Sequence, residues 1–197
     1  MADVGTHIWI NGFPGVGKLT VAMELHRLLP NSVLIDNHQL IDVVQLPRDH
    51  PDYNAQRERV RREAFAKWVH PQTDEESACG DRAAQLRQTL IFTDCLCDNE
   101  IGAEWAKGHL PAAEKGGRPF LPVYLTCARE ENLRRVVSPG RTSGGRKKLV
   151  DAESVGRFLD KLRIFTFPGL GVEIDTTNME PHETAQKIIQ AMQQSAQ

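Results

Sequence analysis

Gly12-Phe13-Pro14-Gly15-Val16-Gly17-Lys18-Leu19-Thr20 is the stretch that decides the fold of this 197-residue chain. From Gly12 to Lys18 it fits G-x-x-x-x-G-K, the pattern of a phosphate-binding loop. In such a loop glycines let backbone N–H groups crowd around phosphate oxygens, and the lysine supplies positive charge. The strict pattern continues with Ser or Thr, a magnesium ligand. Here Leu19 holds that place and the hydroxyl is displaced to Thr20.

A phosphate loop must join a buried strand to the start of a helix. His7-Ile8-Trp9-Ile10 before it is a short apolar run suited to a central strand. After it, Val21, Leu25 and Leu28 recur four and three residues apart, and Pro30-Asn31 ends that helical face. The helix N-terminus then directs its unpaired N–H groups and positive dipole end at the phosphates.

Composition agrees with one soluble domain. Hydrophobic residues make up 40% of the chain and charged residues 25%, and the formal charge of −2 argues against nucleic-acid or membrane-surface binding. No apolar run nears the roughly 20 residues of a membrane span, and residues 1–20 lack a signal-peptide pattern. Cys79, Cys95, Cys97 and Cys127 show no metal-ligand spacing. They read as reduced thiols of a cytoplasmic protein, small core residues rather than redox groups.

Strands and helices alternate along the rest of the chain. Ser32-Val33-Leu34-Ile35 is a strand closed by Asp36; residues 89–93 (TLIFT) are another, closed by Asp94. Between them residues 37–88 are polar and helical, most clearly over 53–70, where Val60, Ala64 and Trp68 mark an apolar face. A helical stretch over 101–114 leads to a strand at 120–126. Val155, Phe158, Leu159 and Leu162 mark a helix, residues 171–175 (GVEID) a fifth strand, and Pro181 opens the last helix. The alternation predicts an α/β three-layer sandwich with a five-stranded parallel sheet and a ligand crevice at the strands' carboxyl ends. The chain reads as a single domain over 1–197, without repeats or low-complexity tracts.

The phosphate loop, the acids closing the second and third strands, the arginine-rich segment after the fourth and the closing Asp175-Thr176-Thr177-Asn178 together resemble the P-loop kinase superfamily. Within it the chain is most similar to small-molecule phosphotransferases such as chloramphenicol phosphotransferase and the zeta-toxin kinases, AAA-like ATP-binding proteins. Its G-K-x-T ending is similar to that of adenylate kinases, which hold magnesium largely through water. The resemblance implies ATP and Mg2+. It also implies a helical acceptor-side insertion over 37–88 and a lid over 128–150.

On that basis the residues from Gly12 to Thr20 (Gly12, Phe13, Pro14, Gly15, Val16, Gly17, Lys18, Leu19, Thr20) are candidates for the nucleotide, with Lys18 contacting the β- and γ-phosphates. Thr20 and Asp94 are candidate metal ligands, with Asp98 a weaker competitor. Asp36 is the candidate base for an acceptor hydroxyl. Alternatively, Asp36 or Asn37 caps the helix that begins near His38. His38 could touch the acceptor or simply stand exposed at that helix start.

Of the basic residues Arg129, Arg134, Arg135, Arg141, Arg146, Lys147 and Lys148, Arg135 and Arg141 are the favoured catalytic lid arginines, with Arg134 and Arg146 as alternates. Thr177 borders the base or belongs to an ordinary turn. Arg57 and Arg61 stand four apart on one helix and could bind an anionic acceptor, but Glu58 and Glu63 interleave with them and favour a salt-bridged solvent face.

The expected activity is transfer of the ATP γ-phosphoryl group to a small-molecule hydroxyl by a monomer or homodimer. A nucleoside or nucleotide kinase is the alternative among enzymes, favoured if Arg57 and Arg61 line the pocket. An ATP-sensing or ATP-hydrolysing module is the alternative outside transfer. A polynucleotide 5′-end kinase is disfavoured by the net charge.

Overall fold

The computed structural model describes residues 4–71, 82–138 and 151–195. Five strands, β1 (His7–Gly12), β2 (Ser32–Asp36), β3 (Thr89–Asp94), β4 (Phe120–Thr126) and β5 (Val172–Asp175), form one sheet in the order β2-β3-β1-β4-β5, every pair parallel. The sheet carries helices on both sides and has the α/β architecture expected of the chain.

Strand β1 lies at the centre and is buried along its whole length. Its side chains alternate, so each face receives a different set. Ile8 and Ile10 join Val123, Leu125 and Ile174 beneath helices α1 (Lys18–Leu28) and α9 (Pro181–Ser195), whose Val21, Leu25, Ala185 and Ile188 complete that layer. Trp9 faces the other way, packing with Phe92, Tyr124 and Phe165. Ala106 of α5 (Glu100–Lys107) and Ala112 of α6 (His109–Lys115) cover that side. The single helix predicted over 101–114 is therefore two, divided at Gly108, where an added Cβ would stand 3.3 Å from the Trp105 carbonyl.

The insertion begins with a short α2 (Asn37–Asp42) directly at the end of β2 and continues through α3 (Tyr53–Ala64), which passes into a π-helical turn over Phe65–Val69. A further short helix, α4 (Arg82–Arg87), precedes β3. The inward face of α3 carries Tyr53, Arg57, Arg61 and Ala64; of the apolar set read from the sequence Ala64 is buried, while Val60 and Trp68 are only partly so. After β4 come α7 (Arg129–Val136) and α8 (Ala152–Lys161).

Arg118, 4% exposed, clasps the end of the sheet away from the cleft. Its guanidinium donates to the carbonyls of Gly5, Trp68, Val69, Gln85, Leu86 and Gln88. One cation thus satisfies the chain ends of α4 and of the π-helical turn. Burial lowers it to about 10, so it stays charged at neutral pH. No helix among the described residues is long and apolar enough to cross a membrane.

Candidate functional site

The loop between β1 and α1 owes its shape to two glycines with positive φ, Gly15 at 97° and Gly17 at 92°. They are required for different reasons. A Cβ on Gly15 would stand 2.9 Å from both the Asn132 carbonyl and Val136 Cγ2, so the loop packs tightly on α7. A Cβ on Gly17 would meet nothing within 4 Å: the space over the start of α1 is open. There a backbone bend, a helix N-terminus and Lys18 converge, a combination suited to phosphate. The Lys18 ammonium donates to the carbonyls of Gly12 (2.7 Å) and Phe13 (2.9 Å), which hold it against the loop.

A cleft of about 1070 Å³ opens from this loop toward β2. The loop contributes Gly15, Gly17, Lys18 and Thr20, and the β2 side contributes Asp36, Asn37 and His38. In register Asp36 faces Thr93 and Thr93 faces Ile10, which puts Asp36 two strands from β1. At the usual strand spacing that separation is roughly 9–10 Å.

Asp36 occupies the first position before α2 but makes no side-chain cap bond. Its Oδ1 instead accepts from the Thr93 hydroxyl at 2.8 Å, and Oδ2 stands 3.2 Å from His38 Nδ1. Of the two sequence readings of Asp36, capping is not the one this geometry supports. The residue is only 2% exposed, and it lies on the cleft wall.

Cys95 and Cys97 also line the cleft, which corrects their reading as core thiols. The loop that carries them is pinned by Asn11, whose amide bonds both the carbonyl and the N–H of Leu96. A hydrogen bond from the Cys97 thiol, then the nearby Lys18 charge, lower Cys95 below the ordinary thiol range against the effect of burial.

Asp94 departs from its expected task. Its carboxylate forms a bidentate pair with Arg61, 2.8 Å at each oxygen, and Oδ2 also accepts from Trp9 Nε1 at 3.0 Å. His109 Nε2 stands 3.2 Å away. If that nitrogen carries the proton, Nδ1 accepts from His7 Nε2–H at 2.9 Å, and His7 Nδ1 is left as a buried acceptor without a partner. Burial alone would raise the Asp94 carboxyl, but Arg61's charge and hydrogen bonds, helped by His109, hold it far below the carboxylate range. Burial lowers His109 to about 4 and takes His7 well below its ordinary value. Asp94 is 1% exposed and is not part of the cleft wall, so its reading as a magnesium ligand is replaced by that of an anchored core anion.

Arg61 supplies that anchor, and the solvent-face reading of Arg57 and Arg61 fails with it: the two residues are 9% and 4% exposed. The salt-bridged surface does exist, one face further round, as Arg59–Glu63 and Arg62–Glu58. Arg57 lines the cleft.

Arg135 likewise does something other than expected. It donates to Glu131, to the Thr176 hydroxyl and to the carbonyls of Thr176 and Thr177, tying α7 to the turn after β5. It does not line the cleft and is better read as a strut than as a lid arginine. Thr177 bonds Asp175 through its own N–H at 2.8 Å and accepts from Ala128 N–H at 2.7 Å, the geometry of an ordinary turn. Arg134 pairs with Glu131, and Arg129 with Asp160 of α8. Arg141, with Arg146, Lys147, Lys148 and the remainder of the expected 128–150 lid segment from residue 139 on, lies outside the described residues, as does Cys79. Beyond it, Asp151 caps α8, which gives the cleft Ser154 and Phe158.

Sequence reasoning passed over Trp105, Tyr53, His109 and Arg118. The signal for His109 was faint: a histidine opening an otherwise apolar strand, His7, needs a buried partner, and His109 is that partner.

The family model described as an AAA domain matches residues 8–156. Comparison with curated proteins finds no match. The Deinococcus radiodurans tunicamycin resistance protein is similar in structure, with a TM-score of 0.57 and 18% identity over 95% of each chain. So is the Mycobacterium tuberculosis APS kinase CysC in complex with AMPPNP and APS, with a TM-score of 0.59 and 16% identity over 96% of this chain and 98% of that one. A gluconokinase from Sinorhizobium meliloti aligns with a TM-score of 0.54 and 14% identity, covering 98% and 94%. At these identities the likenesses show the fold alone. By the family match this chain belongs to the AAA domain family, and its α/β fold is that of P-loop kinases.

Proposed function

We propose that the chain transfers the γ-phosphoryl group of ATP to a hydroxyl of a small-molecule acceptor. The observation that carries this reading is the joint lining of one cleft by a phosphate loop with its lysine and by a buried carboxylate that does not cap its helix. The similarity to an APS kinase bound to AMPPNP and to a gluconokinase supports it.

Bound ATP supplies the phosphoryl group, and magnesium would neutralise charge on its phosphates. The loop fits the triphosphate: open space over Gly17, N–H groups of the first turn of α1 and Lys18 all address it. For magnesium the chain offers less. Thr20, exposed in that turn, lines the cleft, while Asp94 does not, and no group of three or more His, Cys, Asp or Glu that could hold a metal occurs among the described residues. An ion would be held by Thr20, phosphate oxygens and water.

The acceptor oxygen attacks the γ-phosphorus while the bond to the β,γ-bridging oxygen breaks and ADP leaves. Asp36, oriented by Thr93 and His38, accepts the hydroxyl proton as that oxygen forms its new bond. Lys18 stabilises charge on the phosphates as it shifts toward the leaving ADP. Arg141 remains the candidate for a lid cation.

The test is γ-labelled ATP incubated with a library of hydroxyl metabolites, with and without magnesium. Label should appear in an acceptor. ADP and inorganic phosphate released with no labelled acceptor would move the chain to the ATP-hydrolysing class.

A further inference from the structure

We infer that the acceptor carries an oxyanion, a carboxylate or a phosphate or sulfate ester, besides the hydroxyl that is phosphorylated, and that Arg57 binds it. This rests on the phosphotransferase reading of the cleft.

Two buried arginines share one face of α3. Arg61 is matched by Asp94 through two 2.8 Å bonds. Arg57, one turn earlier and also buried, has no carboxylate within ion-pair distance among the described residues. Its hydrogen bonds are long ones to neutral oxygens, 3.3 Å to Asn37 Oδ1 and 3.4 Å to the Tyr53 hydroxyl. A buried guanidinium without an anion is unfavourable, because its lost hydration is not replaced. Here it is kept beside an opening rather than inside the core, since Arg57 is on the cleft wall.

Its surroundings favour a ligand that is flat or partly apolar next to its charge. The guanidinium carbon lies 5.3 Å from the Trp105 ring centroid and 6.0 Å from that of Tyr53. Those rings orient the cation without neutralising it. Phe158 and Leu162 line the same cleft. The fork geometry of arginine suits bidentate oxyanions.

Position assigns this cation to the acceptor and not to ATP. Arg57 touches Asn37, the neighbour of Asp36, on the β2 side, whereas the phosphate loop follows β1 two strands away. An oxyanion held by Arg57 would therefore present its hydroxyl near Asp36.

The experiment uses the full chain, wild type, Arg57→Gln and Arg57→Lys. Transfer is measured against matched acceptors: a neutral polyol, its carboxylate and its phosphate ester. The anionic members should be used at least tenfold better in kcat/KM, and comparing the two arms tells which oxyanion is bound. Arg57→Gln should raise the acceptor KM at least tenfold with ATP KM within twofold, and Arg57→Lys should recover part of the loss. Neutral acceptors used as well as anionic ones, or an acceptor KM unmoved in Arg57→Gln, would overturn the inference. If Arg57→Gln does not fold, the wild-type preference and Arg57→Lys decide it.

A second readout separates this idea from the kinase reading. Sodium sulfate and malonate are titrated, by tryptophan fluorescence, into protein saturated with a non-hydrolysable ATP analogue. Binding that weakens at least tenfold in Arg57→Gln, in a protein that phosphorylates nothing, supports the oxyanion site and sinks the transferase. Binding indifferent to Arg57 overturns the site even if transfer is found.

Discussion

Asp36 and Asp94 close neighbouring strands of one parallel sheet and are almost equally buried, yet they have opposite surroundings. Asp94 is enclosed by a guanidinium, an indole N–H and an imidazole, and its charge is spent in holding α3 to the sheet. Asp36 accepts from the Thr93 hydroxyl, stands beside the His38 imidazole and lies on the cleft wall. Burial and strand-end position alone do not distinguish a structural anion from a reactive one. Arg61 of α3 reaches Asp94, while Arg57 lines the cleft, and under the proposed function Asp36 is the reactive carboxylate of the two.

Removing one half of the Asp94 pair should give the largest change in stability. Arg61→Met leaves a buried carboxylate uncompensated and should destabilise the fold by about 3–5 kcal/mol in denaturant unfolding. Adding Asp94→Leu should restore much of that loss. A single variant as stable as wild type would mean that the ion pair contributes nothing and that the contrast with Asp36 is overstated.

Acid should act on the same region. The folded-state value of His109 is depressed to about 4 and that of His7 also lies below normal, so both bind protons more readily in the unfolded chain. Their contribution is complete above about pH 6.5, the usual histidine value. It is lost as pH falls toward the folded-state value. For His109 the loss approaches roughly 3 kcal/mol by pH 4. His109→Gln should flatten the stability profile between pH 6.5 and 4, and an unaltered slope would remove the histidine from that network.

On the cleft side the smallest effect is chemical. With its depressed thiol, Cys95 should be alkylated by iodoacetamide several-fold faster than Cys127 at pH 7, and an ATP analogue should slow it. Peptide mass spectrometry would record both rates. Equal labelling, or no protection by nucleotide, would separate Cys95 from the phosphate end of the cleft.

Much of the fold was legible because its signals are local. An apolar run, a glycine loop and a helical apolar face each fit within a dozen residues, and each strand appears within two residues of where its pattern lies. Which candidate residues line the cleft was legible only where the signal is local too, in the loop and at Asp36. Arg57 and Arg61 read as surface because Glu58 and Glu63 interleave with them, and those glutamates do pair, with Arg62 and Arg59. The partners that decide the matter, Asp94 and Trp105, lie on other elements far along the chain. Arg135 misled for a related reason: beyond Glu131, its partners are the hydroxyl and carbonyl of Thr176 and the carbonyl of Thr177, distant in the chain, and a carbonyl leaves no mark in a sequence. Asp36 read as a base or, alternatively, a cap, because Asp commonly caps a helix; the Thr93 hydroxyl that donates to its Oδ1 comes from the neighbouring strand.

The claim that Asp36 is the reactive member of the pair is tested most directly by Asp36→Asn assayed beside Lys18→Ala, measuring phosphoryl transfer and ATP-analogue affinity on the same preparations. Asp36→Asn should lose transfer by about 10²–10⁴-fold and keep its analogue affinity, while Lys18→Ala loses both. An Asp36→Asn variant that transfers phosphate at the wild-type rate would contradict the account.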